Sequence, residues 1–280
     1  MRIEKRIVFN TKYDESAGKK AFEIMDKKYP GMKDTGSFIV KLFEDDPKYK
    51  LLIQYLEENN FSKFITDDEM FSKEEMLSAP IMQMKPDSYT ESRPMPKKDY
   101  GYLKESYDQN SGCEICTKGK IQNRPLQLIE RTSLGKKDIV GLRWTNGFLV
   151  SKRFKELAEE AGLTGCEFWP IIKYKEKKPF EEIFQLKITG VMPKMANETN
   201  IIHDFSVCNI CGHEKVYPKG RIYYNTSDLR DIPDFALTHE WFGMYWDIWQ
   251  WPFMSQKAYR FFKENKITGV RFYPPEILDK

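Results

Sequence analysis

Four of the five cysteines form two C-x-x-C pairs, and no other pattern in the sequence points so directly to chemistry. The pairs are Cys113 with Cys116, and Cys208 with Cys211. Two thiolates on one tight turn can face the same ion, and tetrahedral zinc takes four such ligands at about 2.3 Å. The sequence therefore predicts one structural Zn2+ held by all four cysteines, in a closed site that leaves no position for water or substrate.

The spacing of the pairs leaves alternatives open, because about 90 residues separate them. A thioredoxin-like redox pair and a pair of turns without metal both remain. His213 follows Cys211 by two residues and could replace one thiolate. Cys166 lies outside the pairs, in a predicted strand, and we expect it to be a core residue. Paired C-x-x-C turns in a reducing compartment favour metal over disulfides.

An internal repeat must position the two cysteine pairs. SKRFKELAEEAGLTGCEFWP, which begins at Ser151, aligns without a gap with SQKAYRFFKENKITGVRFYP, which begins at Ser255. In each copy a serine is placed to cap a helix with one apolar face, and an alternating strand pattern follows. We therefore predict that 145–172 and 249–276 are duplicated strand-helix-strand modules. Since a C-x-x-C pair precedes each copy, the duplication would bring equivalent turns together.

The whole pattern predicts a mixed α/β (α+β) fold in two parts. Residues 1–85 are expected to form a small N-terminal β-α-β-α region, in which Asp46-Pro47 begins the second helix. Ser72 and Glu75 have the spacing of a capping box and predict one more short helix. Residues 86–280 are expected to contain the two duplicated modules, joined by a zinc-ribbon-like four-cysteine site.

Composition excludes several classes of protein. Lys and Arg number 45 against 42 Asp and Glu, so the net charge of +3 provides no strong field for nucleic acid or an anionic membrane. The chain begins without the apolar stretch of a signal peptide and contains no apolar run near 18 residues. We therefore expect a cytoplasmic protein with no nucleic-acid or membrane partner.

Catalytic motifs are not visible. The sequence contains no Walker A motif, dinucleotide-binding glycine pattern or nucleophile elbow, and His239-Glu240 lacks the second histidine of a zincin. These observations favour a protein that is not an enzyme and has no small-molecule substrate.

The segment from His239 to Phe253 contains the densest group of aromatic side chains. Tryptophan is typical of the residues that dominate protein interfaces, so this segment is a candidate partner surface. The alternative is that these rings close the core between the two repeats. The candidate contact residues are Trp241, Trp246, Trp249 and Trp251.

Beyond these patterns, the chain resembles a family. The paired turns, the stretch CEICTKGKIQNRPLQL and the two repeat elements are together similar to the bacterial double-CXXCG-motif proteins, over roughly residues 70 to 278. Those proteins belong with the immunity proteins of polymorphic toxin systems. Gly212 supplies the glycine after the second pair, whereas Thr117 stands in its place after the first. The four paired cysteines match the family's motif cysteines.

The resemblance implies a non-enzymatic protein that binds and neutralises one cognate protein toxin. The alternative function is a zinc-ribbon nucleic-acid-binding or regulatory protein, which would use basic segments such as Lys118-Gly119-Lys120. Charge disfavours this alternative, because the second basic segment, KYKEKK, is interrupted and followed by glutamates.

Overall fold

The computed structural model describes residues 1–32, 35–143, 145, 147–244 and 247–279. The chain forms two compact units, Met1–Met76 and Leu77–Lys280. In these described ranges, no helix combines the length and apolar character needed to cross a membrane. The chain is a mixture of helices and strands, as the sequence predicts.

The first unit is a three-stranded antiparallel sheet covered by helices. The sheet order is β2-β1-β3, and apolar side chains of β1 and β2 pack against both long helices. Aspartate side chains cap α1 and α2, and the predicted capping box begins α3, where Ser72 and Glu75 exchange backbone-to-side-chain hydrogen bonds. The elements are β1 (Arg2–Asn10), α1 (Glu15–Ile24), β2 (Ser37–Phe43), α2 (Pro47–Glu58), β3 (Ser62–Met70) and α3 (Lys73–Ser78).

Strand β3 is an addition to the predicted β-α-β-α order. Its sequence, SKFITDDEM, does not predict a strand, because three acidic residues interrupt the apolar pattern. The pairing register explains how they fit: Asp67 lies opposite Lys5 of β1, and its carboxylate accepts a 3.0 Å hydrogen bond from the lysine ammonium. Cross-strand charge pairs of this kind stabilise a sheet that local propensity alone would not form.

The described residues of the second unit form two larger sheets and three two-stranded sheets. The larger sheets have the strand orders β5-β7-β8-β10-β9-β6 and β11-β15-β18-β4-β19, and the small ones pair β12 with β13, β14 with β20, and β16 with β17. The strands are β4 (Ile81–Pro86), β5 (Tyr89–Thr90), β6 (Gln127–Leu128), β7 (Ile139–Leu142), β8 (Gly147–Ser151), β9 (Cys166–Lys173), β10 (Pro179–Ile188), β11 (Gly190–Val191), β12 (Ile201–Val207), β13 (Glu214–Pro218), β14 (Tyr223–Asn225), β15 (Phe235–Leu237), β16 (Phe242–Met244), β17 (Asp247–Trp249), β18 (Pro252–Ser255), β19 (Val270–Tyr273) and β20 (Glu276–Leu278); the helices are α4 (Gly101–Ser106), α5 (Lys152–Glu160) and α6 (Gln256–Glu264), with 3-10 turns at Lys98–Tyr100 and Thr226–Leu229.

The boundary between the two units lies before strand β4. The sequence predicts a boundary after residue 85, whereas the compact units divide after Met76. The reason is that β4 lies between β18 and β19 and pairs with both. Its first four residues are all buried, so it forms part of the second unit's core and cannot end the first unit.

Both segments of the predicted repeat contain strand, helix and strand in that order: β8, α5 and β9 in one, and β18, α6 and β19 in the other. Ser151 and Ser255 each accept a hydrogen bond from the backbone N–H three residues later, which is the geometry of an N-cap. The two helices also contact each other, since the Phe154 ring centroid is 5.3 Å from that of Phe262. The sheets therefore share one aromatic core across α5 and α6.

Two buried aspartates connect these segments crosswise. Asp138 accepts hydrogen bonds from Ser151 at the start of α5 and from both the backbone and hydroxyl of Thr268 in the other segment. Asp234 makes the equivalent contacts with Ser255 at the start of α6 and with Thr164 in the first segment. Each aspartate thus joins the cap of one helix to the loop that follows the other.

The glycines after these threonines allow the backbone there to pass close to the backbone of Phe235 and of Ile139. Gly165 and Gly269 have φ values of +76° and +104°, a region that other residues rarely adopt. A Cβ at Gly165 would lie 2.1 Å from the Phe235 carbonyl oxygen, and one at Gly269 would lie 1.9 Å from that of Ile139. Only glycine fits at either crossing.

Candidate metal centre

The four paired cysteines meet in the second unit. The sulfur atoms of Cys113 and Cys208 are 3.7 Å apart, and those of Cys116 and Cys211 are 3.4 Å apart, although each contact joins residues 95 positions apart. All four sulfurs lie within 4.8 Å of one another. Cys211 is the exposed member, and the other three are buried. The structure therefore gathers the predicted ligands into one group that could hold a metal ion.

The first turn follows α4 and is closed by two backbone hydrogen bonds. Cys113 donates its N–H to the Lys118 carbonyl at 2.8 Å, and Thr117 donates its N–H to the Cys113 carbonyl at 3.0 Å. Gly112 precedes the turn at φ +65°, and a Cβ there would lie 2.4 Å from the Lys120 nitrogen. This glycine is needed for the chain to double back behind the first cysteine.

The second turn joins β12 to β13 and repeats the same bonds. Cys208 donates its N–H to the His213 carbonyl, and Gly212 donates its N–H to the Cys208 carbonyl, both at 2.9 Å. Gly212 has φ +68°, and Thr117 adopts nearly the same value, +62°, at the matching position of the first turn. The threonine therefore does not change the shape of the turn, but it holds a β-branched residue in a left-handed conformation.

Backbone amides bond to two of the sulfurs, those of Cys208 and Cys116. The N–H groups of Cys211 and Ile210 bond to the Cys208 sulfur and lower the pKa of that thiol to about 6. The Lys118 amide bonds to the Cys116 sulfur, where burial is the larger effect and raises the pKa of the thiol to about 12. A divalent cation at the centre would favour the thiolate form of each ligand.

The separations suit a tetrahedral ion. Four ligands at about 2.3 Å from a central zinc lie about 3.8 Å from one another, which is the edge of the tetrahedron. The two sulfur separations between the pairs, 3.7 and 3.4 Å, are close to that edge. A tetrahedral group of four sulfurs is typical of zinc or iron, so the donor set fits a structural metal ion.

His213 supports this site and is not one of its ligands. It is buried, and its Nε2 lies 3.0 Å from the carbonyl oxygen of Gly243, to which it donates as the neutral ring. Burial lowers the pKa of His213, which keeps the ring neutral. Met244, next along β16, packs with three of the cysteines. The second turn is thereby fixed to the tryptophan-rich segment.

The tryptophans proposed as a partner surface are half-buried where the structure describes them. The Trp249 ring lies 5.7 Å from Tyr217 of β13, and the Trp251 ring lies 4.9 Å from Phe242. Trp241 is also half-buried, and Trp246 lies outside the described residues. These contacts show partial packing, and a role in partner binding stays a prediction.

Sequence reasoning missed two residues of the site. Lys118 contributes its carbonyl and its amide to the first turn, and its position five residues after the first cysteine was the available signal. Met244 gave no signal, because only the tertiary fold brings β16 to the cysteines. Cys166 is half-buried in β9 and is not part of the four-cysteine group.

Neither a protein-family model nor a curated protein matches this sequence.

Proposed function

We propose that the four-cysteine group holds one Zn2+ and that the ion connects two distant parts of the second unit. The support is the agreement between the sulfur separations and a tetrahedral edge, together with the matched hydrogen bonds of the two turns. With all four positions taken by protein, the ion is structural. Its binding free energy then contributes to the folding free energy of the unit.

We also propose that the second unit arose by duplication of a strand-helix-strand module. Four positions of the crossed contacts each occur twice, and the two copies of each are 104 residues apart. These positions are the serine cap, the basic residue two places later, the threonine and the glycine. Arg153 contacts Asp138 at 2.9 Å, and Lys257 contacts Asp234 at the same distance. Chance similarity of two amphipathic helices would not reproduce these matched contacts.

The function that these features support best is that of a cytoplasmic immunity protein, a member of the double-CXXCG-motif family that binds and neutralises one cognate toxin without turnover. The observation that carries this proposal is a group of exposed apolar side chains on the two metal-binding turns and the hairpin beside them. Phe205 of β12 is 98% exposed, and exposed apolar groups of this kind mark interaction sites. The others are Ile115, Ile121, Ile202, Val207 and Ile210.

Co-expression with the toxin encoded by the neighbouring gene tests this function. Cells that carry both proteins should survive. Cys208→Ser should abolish protection because the hairpin loses its metal, whereas Cys166→Ser should retain protection. Phe205→Asp should weaken toxin binding without lowering the melting temperature, and the matched control Phe64→Asp, at an exposed position of β3, should leave binding unchanged. Equal killing with and without this protein would rule the proposal out.

A further inference from the structure

Strand β12 has one free edge. It pairs with β13 on one side, and no strand pairs with its other side among the residues that the structure describes. Residues 202–207 are all exposed, so the described part of the chain covers neither face of this strand. A free edge presents backbone N–H and C=O groups that another strand can bind, and proteins usually protect such edges.

The ladder between β12 and β13 shows which backbone groups point outward. Lys219 donates its N–H to the Asn200 carbonyl at 2.8 Å, so these two residues are a hydrogen-bonded pair. Hydrogen-bonded and non-hydrogen-bonded pairs alternate along an antiparallel ladder. Ile201, which lies opposite Pro218, and His203 are therefore in non-hydrogen-bonded pairs, and their N–H and C=O groups point away from β13. Pro218 has no N–H to donate, which agrees with this assignment.

A β-bulge limits the regular part of the edge. The register shifts between His203 and Val207, and Phe205 within this interval has φ +37°. Bulges interrupt the ladder and change the direction of nearby side chains. Phe205, which is 98% exposed, therefore lies outside the regular segment, which is 201–203.

Contacts at the tip and along β13 fix the rest of the hairpin. Cys208 of the four-cysteine group directly follows β12. The Tyr217 ring of β13 lies 5.7 Å from the Trp249 ring, and His213 Nε2 lies 3.0 Å from the Gly243 carbonyl oxygen. Strand β12 is thus held in its extended conformation, and a pre-organised strand loses less conformational entropy when it pairs.

The sequence of the free edge is complementary to itself. In an antiparallel pairing centred on Ile202, Ile201 of one copy lies opposite His203 of the other, and each of these two pairs forms two N–H···O=C bonds. The Ile202 side chain, 44% exposed in the single chain, then faces its own counterpart in a close non-hydrogen-bonded pair. A pairing centred on Asp204 would place two carboxylates opposite each other, which is destabilising.

We propose that the chain forms a twofold dimer in which the β12 strands of two copies pair antiparallel at residues 201–203. The two hairpins then form one four-stranded sheet. This inference goes beyond the proposed function and does not depend on it, since Phe205 lies outside the paired segment. The paired segment is short, so the dimer should bury less than the standard area of about 1,600 Å² and have a Kd roughly in the micromolar range.

Sedimentation equilibrium of the full chain, purified without chelator, measures this dimer. His203→Pro removes one outward N–H from each copy, whereas the matched variant His203→Ala removes the side chain and keeps the N–H. Proline is tolerated at an edge position whose N–H faces solvent, so the two variants should have similar melting temperatures. We expect dimerisation of His203→Pro to be at least tenfold weaker than that of His203→Ala.

A second pair of variants tests the apolar contact at the centre. Ile202→Arg places two cations opposite each other and should weaken dimerisation at least tenfold. Leu51→Arg, at an exposed position of α2, is the matched control and should leave dimerisation unchanged.

Ile202→Cys tests the register. Facing Cα atoms of a non-hydrogen-bonded pair are about 4.5 Å apart, which a disulfide can span. In oxidised glutathione this variant should cross-link two chains, and mass spectrometry should place position 202 of both chains in the bond. Ser206→Cys, at an exposed position of the same strand, should cross-link at least tenfold more slowly.

Three results would overturn the proposal: a chain that stays monomeric up to roughly 0.5 mM, equal dimerisation of folded His203→Pro and His203→Ala, or cross-linking of Ile202→Cys no faster than that of Ser206→Cys. A monomeric chain whose toxin complex is weakened by His203→Pro and not by His203→Ala would assign the edge to the toxin instead of a second copy. Dimerisation as expected by a chain that gives no protection would reject the immunity function and keep the dimer.

Discussion

Replacing Asp234 with alanine should destabilise the second unit by about 3–5 kcal/mol, because three donors around a buried carboxylate lose their charged acceptor and each buried donor left unpaired costs about 1–3 kcal/mol. The carboxylate accepts hydrogen bonds from Ser255 at 2.7 Å and from the backbone and hydroxyl of Thr164 at 2.9 and 3.2 Å. Lys257 adds a fourth at 2.9 Å, but its side chain is 59% exposed, so solvent reduces its contribution. Most of the cost comes from the donors left unpaired.

Thermal and urea unfolding measure this cost. For a unit of about 200 residues, each kcal/mol shifts the melting temperature by roughly 2–4 °C, so we expect a decrease of roughly 6–20 °C. Asp231→Ala, at an exposed position three residues away, is the matched control and should change the free energy of unfolding by less than about 0.5 kcal/mol. Asp138→Ala should resemble Asp234→Ala, because its contacts are equivalent.

A double-mutant cycle then isolates the crosswise contact. Asp234→Ala and Thr164→Val should be coupled by about 1 kcal/mol or more, since each removes the same hydrogen bond. A cost for Asp234→Ala no larger than that of the exposed control, or additive effects in the cycle, would refute the view that the aspartates connect the two segments.

Burial raises the pKa of Asp234, but its hydrogen bonds and the nearby lysine outweigh burial and hold the pKa below its ordinary value. The stabilisation from Asp234 should therefore be complete above the ordinary aspartate pKa of about 4, and it should disappear as pH falls through the lower pKa of the folded protein. Urea unfolding at several pH values should then show that the difference in free energy of unfolding between wild type and Asp234→Asn shrinks in acid. Gly269→Ala should lower the free energy of unfolding by more than about 3 kcal/mol, because the new Cβ would meet the Ile139 carbonyl. Gly220→Ala, at φ +79° with open space around it, should lower it by about 1 kcal/mol. Equal melting temperatures for the two variants would contradict this expectation. Thr117→Gly should raise stability by up to about 1 kcal/mol, since it relieves a left-handed β-branched residue, and a lower melting temperature would show that the side chain makes a compensating contact.

Local sequence signals predicted the parts of the fold that depend on neighbouring residues. The serine caps, the capping box at Ser72 and each separate C-x-x-C turn follow from short spacings that carry a physical reason, whereas the meeting of the two turns was inferred from the internal repeat. Strand β4 was missed because its four buried residues, Ile81 to Met84, precede a polar, proline-containing stretch and have no alternating pattern. A central strand that is buried on both faces gives no periodic signal.

The crossed aspartates show a second limit. Asp138 precedes its serine by 13 residues and Asp234 precedes its serine by 21, so they fall outside the constant repeat offset. Their partners in the other segment are 130 and 70 residues away. Contacts at such separations depend on the tertiary arrangement of the two segments, and neither residue type nor spacing encodes them locally.

Elemental analysis of protein purified without chelator tests the central claim most directly. We expect one zinc per chain in the wild type and in Cys166→Ser, and none in a variant in which Cys113, Cys116, Cys208 and Cys211 are replaced by serine. A wild-type chain that is folded without metal, contains iron in place of zinc, or binds the same zinc after loss of these four cysteines would contradict the account.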